Sequence, residues 1–367
     1  MNKWKKIIRH LGLYKLWFFF LFERIYQLDW IDLKNTKIEL EEYCHNVKAS
    51  CIHDYTTNTN ELKASIIVPA YNAENYIKCC LNSLISQETV YSYEIIVVND
   101  GSTDCTLELL SHVKSDKLRI IDKPNGGISS ARNAGVMNAL GEYLIFCDAD
   151  DCMDVGAVQH LIEKAEQTDA DIVEGSFRYI SENGRVGRVV KHKGIKRKIV
   201  NTFGVPWGKC IRKPLFQGIC FPEGYWFEDS IIHQIILPRA NKIEWIEDVV
   251  YYYRTNSNGA TSSSAGNPKS IDSLWISISL LEDRRKLGLN DTVDYYLYML
   301  NMLRLGFHRT ELLPEKIRRD FYYEYAAFLN SNFETRKFGL RDLDFANMQG
   351  LITNVSYSKY CEYFSRT

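Results

Sequence analysis

Between residues 64 and 175, short apolar runs rich in β-branched residues alternate with segments of helical periodicity. The run Ala64-Ser65-Ile66-Ile67-Val68-Pro69 reads as a buried strand stopped by proline. Residues 75–86 then space Ile77, Leu81, Leu84 and Ile85 on one helical face. Glu94 to Val98, Leu118 to Ile121, Tyr143 to Cys147 and Asp171 to Gly175 read as further strands. Helices are expected between them: one capped by Ser102 or Thr103 and running to about Lys114, one over 129–140, one over 155–167. Short connections between alternating strands and helices predict an α/β fold. Its sheet is doubly wound and mostly parallel, with helices on both faces. Ligands on such sheets bind at the carboxyl ends of the strands, and the polar residues of this chain collect there.

The 367 residues leave room for more than that unit. Residues 1–60 read as an N-terminal helical leader ending in the polar linker 54–60, and 61–175 as the first half of the α/β domain. Residues 176–265 form its looser second half, with a basic loop region from Arg185 to Lys198. Residues 266–367 are rich in Tyr, Phe and Leu and read as a C-terminal helical region. The formal net charge of -1 offers no basic field for nucleic acid. Ten cysteines without a C-x-x-C pair suit unpaired thiols in a reducing cytoplasm. In the leader, Lys3, Lys5, Lys6 and Arg9 precede the aromatic run Leu16-Trp17-Phe18-Phe19-Phe20-Leu21-Phe22. This run is too short to span a bilayer, and no cleavage site follows it. Basic residues beside Trp and Phe suit a helix lying in a headgroup layer, here residues 1–24; packing on a protein surface is the alternative.

Four polar clusters follow successive strands: Pro69-Ala70-Tyr71-Asn72 with Glu74; Asn99-Asp100-Gly101-Ser102-Thr103-Asp104; Asn125-Gly126-Gly127 with Ala131-Arg132-Asn133; and Asp148-Ala149-Asp150-Asp151. In a strand-end turn, carboxylates two positions apart can point the same way, as Asp148 and Asp150 would. Hard carboxylate oxygens in such a pair suit a hard divalent cation. Further on, Glu228 and Asp229 precede an apolar helical pattern, where a helix N-terminus favours an ionised carboxylate.

The order VPAYN, VVNDGSTD, NGGISSARNAG and CDADD resembles the bacterial family 2 glycosyltransferases of surface-polysaccharide type, over residues 64–255. The resemblance implies a GT-A fold and inverting transfer of a sugar from a UDP- or dTDP-sugar to a saccharide hydroxyl. It places Tyr71 against the base, within a pocket lined by Pro69, Ala70, Asn72, Glu74, Gly101 and Ser102. Asp100 would accept from the pyrimidine N–H, although a helix cap or turn role is its plain alternative. Gly126 and Gly127 would let backbone approach the donor, and Arg132 would reach the nucleotide-sugar or an acidic neighbour. Asp148, with Ala149, would face the ribose, and Asp150, assisted by Asp148, would ligate Mn²⁺ or Mg²⁺. Asp229 would be the general base and Glu228 its support, with plain helix capping as the alternative. More weakly, Trp207 and Lys209 would lie near acceptor or phosphate, and Arg254 near the diphosphate beside a mobile loop at 259–262, with a scaffold role as the alternative for either. The leader and aromatic C-terminal helices suit a lipid-linked acceptor at the inner face of the cell membrane.

Other readings fit less well. A nicotinamide enzyme needs G-x-G-x-x-G after the first strand, which Pro69-Ala70-Tyr71-Asn72 does not supply. A sugar-1-phosphate nucleotidyltransferase needs a Gly-rich basic loop at the same place, and no phosphate-binding G-x-x-x-x-G-K-[ST] loop occurs. A membrane-tethered sugar- or nucleotide-binding scaffold without turnover is the non-enzymatic alternative.

Overall fold

The computed structural model describes residues 36–54, 61–191, 202–256 and 266–333. The aromatic leader 1–24, the linker 55–60, the basic residues 192–198, the loop 259–262 and the chain beyond 333 lie outside the described residues. In chain order, the elements of the first half are β1 (Leu62–Ala70), α1 (Ile77–Ile85), β2 (Tyr93–Asp100), α2 (Thr106–Ser111), β3 (Leu118–Lys123), α3 (Gly127–Asn138), β4 (Gly141–Phe146), β5 (Cys152–Met153) and α4 (Ala157–Thr168). There follow β6 (Ile172–Ile180), β7 (Val186–Val190), β8 (Lys209–Arg212), β9 (Ile243–Arg254), α5 (Asp272–Lys286), α6 (Val293–Arg309) and α7 (Glu315–Asn332).

The sheet runs β3-β2-β1-β4-β8-β6-β9-β5, with β7 paired to β6. The first four strands are all parallel, as the alternation predicts. The fifth expected strand is longer than read and does not join β4. Antiparallel β8 stands between them, and β6 resumes parallel pairing only with β9. The expected basic loop is in part a hairpin: Gly184, with φ +75°, turns β6 into antiparallel β7. The helix expected from Ser102 or Thr103 begins only at Thr106, because Asp104 accepts its amide at 2.9 Å. The two earlier hydroxyls are engaged elsewhere.

Side chains alternate between the faces of each buried strand. On one face Ile66, Val68, Ile95, Val97, Tyr143 and Ile145 pack with α1 and α4. On the other, Ile67, Ile96, Val98, Leu144 and Phe146 pack with α3 and with Trp275, Leu300 and Tyr325 of the C-terminal helices. Phe146 packs against the rings of Phe216 and Phe221, at 5.9 and 5.5 Å. Burying a side chain of that size contributes about 1.5–3 kcal/mol. Residues 36–54 are not detached from this core. Leu40, Cys44 and Cys51 are buried in it, and Asp283 on α5 accepts the Cys51 amide at 2.7 Å. Among the described residues no helix is long and apolar enough to cross a membrane.

Candidate active site

Parallel pairing brings the carboxyl ends of β1, β2 and β3 to one edge, so the polar clusters meet in space. The first two lock together. Asn72 adopts φ +48°, its amide donates to Ser102 Oγ at 3.0 Å, and its Oδ1 accepts the Thr103 amide at 2.8 Å. Glu74 Oε2 accepts the Cys105 amide at 2.9 Å, while Asp104 Oδ2 accepts the Glu74 amide at 3.1 Å. Asn72, Glu74 and Ser102 therefore hold the rim in shape. Tyr71 differs: it is about half exposed on that rim, at 51%, beyond the buried Pro69 and Ala70.

Asp100, at the end of β2, is almost fully buried and takes three donors: Lys123 Nζ at 2.6 Å and the amides of Gly126 and Gly127 at 3.0 and 2.7 Å. It thus caps the start of α3, the plain alternative of the sequence, and retains one carboxylate acceptor position. Gly101 has φ +69°, and a Cβ there would come within 2.7 Å of the Asn125 amide nitrogen. Only glycine fits that turn. Gly127, at φ +85°, faces open space, whereas a Cβ on Gly126 would meet Ser130.

The acidic turn after β4 is held from β9. Tyr251 Oη accepts the Asp148 amide at 3.1 Å and donates to Asp151 Oδ2 at 2.7 Å. Asp151 is buried and its other oxygen accepts the Arg254 amide at 2.6 Å, so its part is structural. Asn256 donates to one oxygen of Asp150 at 3.2 Å. Burial, and next the charge of Asp148, push the Asp150 carboxyl above the usual range.

On α3, the buried Arg132 guanidinium forks between Asp148 Oδ1 at 2.9 Å and Glu228 Oε1 at 2.5 Å. The same helix anchors the loop before Glu228: Ser129 Oγ donates to Pro222 O, and Asn133 exchanges two bonds with the Phe221 backbone. Arg132, Asp148 and Glu228 are thus brought together from parts of the chain 96 residues apart. Glu228 is engaged by Arg132, while Asp229 beside it has its carboxyl pushed up to about 7, by burial first and then by Glu228. Behind them lies a π-helical turn, Ile232–Ile236. Pro238 has no amide to give Gln234 O, which accepts from the buried Arg284 instead.

The weaker sequence expectations fare differently. Lys209 is fully buried; its ammonium pairs with Glu174 at 2.9 Å and donates to the carbonyls of Phe203, Val205 and Trp207. Its place is the scaffold alternative: a chain turning through 203–207 needs a donor for its inward carbonyls, and Lys209 is it. Trp207 is buried too, stacked on Tyr251 at 4.6 Å and 9°, where it backs the ring that holds the acidic turn. Arg254 is buried as well, its Nε on Asp150 O at 2.7 Å and its Nη1 on the Ser181 and Glu182 carbonyls. It shapes the turn from behind. Two residues escaped the sequence reading. Tyr251 was hidden in the run Tyr251-Tyr252-Tyr253, where strand alternation alone separates inward from outward rings. Arg309 belongs to α6; its guanidinium lies 3.8 Å from the centre of the Phe227 ring, on a residue with φ +64° two before Asp229. No local signal marked it.

The family profile described as Glycosyl transferase family 2 matches residues 65–219, which include every donor-side candidate but stop short of Glu228 and Asp229. Glycosyltransferase GlyA of Streptococcus pneumoniae is 32% identical over 212 residues, 52% of this chain and 30% of GlyA. Glycosyltransferase GlyG of the same species is 31% identical over 215 residues, 53% of this chain and 71% of GlyG. The chain thus spans less than a third of one curated relative and most of another. Among solved structures, S. aureus TarS 1–349 in complex with UDP-GlcNAc matches with a TM-score of 0.52 and 22% identity, over 73% of this chain and 89% of TarS 1–349. That likeness speaks to the fold, which is the GT-A arrangement the family resemblance implies. With the profile lying over the clustered strand ends and GlyG matched over most of its length, the chain belongs to glycosyltransferase family 2.

Proposed function

We propose that this chain moves a hexose-type sugar from a UDP-sugar, or a dTDP-sugar, to a hydroxyl of a saccharide acceptor, with inversion and with the help of a divalent metal. The observation that carries the reading is the Arg132 fork, which sets Asp148 of the acidic turn and Glu228 beside the base candidate on one guanidinium. On this reading a single side chain would tie the donor half of the site to the acceptor half. TarS, of the same fold, was solved with UDP-GlcNAc; only the donor class is carried over from it.

Asp150 and Asp148 would hold Mn²⁺ or Mg²⁺. Each has one oxygen committed, to Asn256 and Arg132, and one left over. Among the described residues no group of three or more His, Cys, Asp or Glu side chains is placed to hold a metal. The donor set therefore suits an ion that completes its shell with diphosphate oxygens and water, as Mg²⁺ and Mn²⁺ commonly do. Bound there, the ion would neutralise charge on the departing nucleoside diphosphate. Tyr71 would stack on the base at the rim, and the free acceptor position of Asp100 would take a ring N–H.

Asp229 would accept the proton of the attacking hydroxyl. A carboxyl drawn up to about 7 has gained basicity and still empties near neutral pH, which is what a general base needs. Arg132 holds Glu228 Oε1 at 2.5 Å, so Glu228 positions rather than competes. One base and direct displacement give inversion. We extend the reading to a lipid-linked acceptor in surface-polysaccharide assembly, at the inner face of the membrane, with residues 1–24 as the contact. The test is the anomeric configuration of the first-formed product, read by NMR with the donor that supports turnover. An inverted linkage is expected; a retained one would remove Asp229 as the base of a direct displacement.

A further inference from the structure

Four cysteines bracket the acidic turn. Cys80 on α1 lies 3.8 Å, sulfur to sulfur, from Cys147 at its start, and Cys79 lies 3.2 Å from Cys152 at its end. The two pairs differ in access. Cys80 and Cys147 are wholly buried, whereas Cys79 is exposed beside a buried Cys152. Only the second pair has one sulfur open to a small oxidant and a second within closing distance behind it.

We propose that Cys79 and Cys152 are an oxidation site, at which a peroxide converts the two thiols to a reversible disulfide that fastens α1 to the acidic turn. In the first step the Cys79 sulfur attacks hydrogen peroxide: an O–O bond breaks, an S–O bond forms, and the thiol proton leaves with the other oxygen as water. In the second, the Cys152 sulfur attacks the Cys79 sulfenic acid: the S–S bond forms, the S–O bond breaks, and a second water leaves with the Cys152 proton. Peroxide is reduced and both sulfurs are oxidised. The sulfurs must close from 3.2 Å to about 2.05 Å, a movement of about 1 Å that one rotamer adjustment on an exposed side chain can supply.

The closure bears on the turn through Arg254. Its Nη2 lies 3.8 and 3.9 Å from the two sulfurs, and its Nε holds the Asp150 carbonyl at 2.7 Å. Cys152 also begins β5, whose pairing with Tyr252 and Tyr251 aligns the turn on β9. Movement of either sulfur therefore reaches the carboxylates through one guanidinium and one strand.

The experiment treats the reduced full-length protein with hydrogen peroxide, blocks remaining thiols and maps peptides by mass spectrometry. The expected result is a peptide pair joined through Cys79 and Cys152, about 2 Da lighter than the two reduced peptides and restored by dithiothreitol. C79S should abolish it; the exposed position makes that variant safe for folding. C152S should instead leave Cys79 to proceed to sulfinic acid. A link through Cys80 or Cys147, or a Cys79 that over-oxidises in the unaltered protein without linking, would overturn the proposal.

Discussion

Replacing Asp229 with Asn removes one ionisable carboxyl and keeps its shape, so the pH dependence of stability reads that carboxyl alone. Burial first, and then Glu228, raise it from the ordinary 3.8 to about 7. Below pH 4 the folded and unfolded chains both carry the proton. Between there and about 7 the unfolded chain has released it and the folded chain has not. The folded state binds more protons, and stability falls as pH rises through that window. The shift of about 3 pH units corresponds to roughly 4 kcal/mol at 1.36 kcal/mol per unit. About half is expected in practice, ~2 kcal/mol, because Asp229 is only part-buried and solvent screens part of the charge. Urea denaturation of both proteins from pH 4 to 9 measures it. The stability of Asp229→Asn relative to the parent should grow from near zero at pH 4 to ~2 kcal/mol at pH 8, while transfer is lost and donor binding persists. Parallel stability curves across the whole range would refute the burial argument, and unchanged turnover would remove Asp229 as base.

Three further outcomes follow from the contacts. Lys209→Met leaves Glu174 charged and buried without its cation, which should cost about 3–5 kcal/mol and lower the melting temperature sharply. A drop in activity at unchanged melting temperature would return Lys209 to a ligand-contacting role. Gly101→Ala must carry a Cβ at φ +69° against the Asn125 backbone and should lose about 1–3 kcal/mol by denaturant titration; a neutral result would mean the turn relaxes freely. Arg132→Lys keeps the charge but cannot fork to Asp148 and Glu228, so kcat should fall at least about tenfold with donor KM little changed. A rise in KM alone would make the fork a donor contact.

What was legible depended on how far apart the cooperating residues stand in the chain. The parallel strands and the clusters at their ends could be read from local runs, because each strand and the turn after it lie within about ten residues. The lacing of Asn72 to Ser102 and Thr103 could not, and it moved the start of α2 to Thr106 by engaging the hydroxyls that would have capped it earlier. The insertion of β8 between β4 and β6 was hidden because four residues, Lys209–Arg212, carry little periodicity. Lys209, Trp207 and Arg254 stood out in the sequence, but it left ligand contact and scaffold equally open for them. A buried lysine satisfied by carbonyls and a solvent-facing lysine look alike in sequence, and only burial separates them. Arg309 and Tyr251 matter through contacts with residues about 80 and 100 positions away, beyond any motif.

The most direct test of the account is nucleotide release from a panel of UDP- and dTDP-sugars by the full-length protein, with Mn²⁺, with Mg²⁺ and with chelator, alongside Asp150→Ala. At least one donor should be turned over with metal, with the rate abolished by chelator and by Asp150→Ala. Metal-independent turnover, or an Asp150→Ala variant as active as the parent, would contradict it.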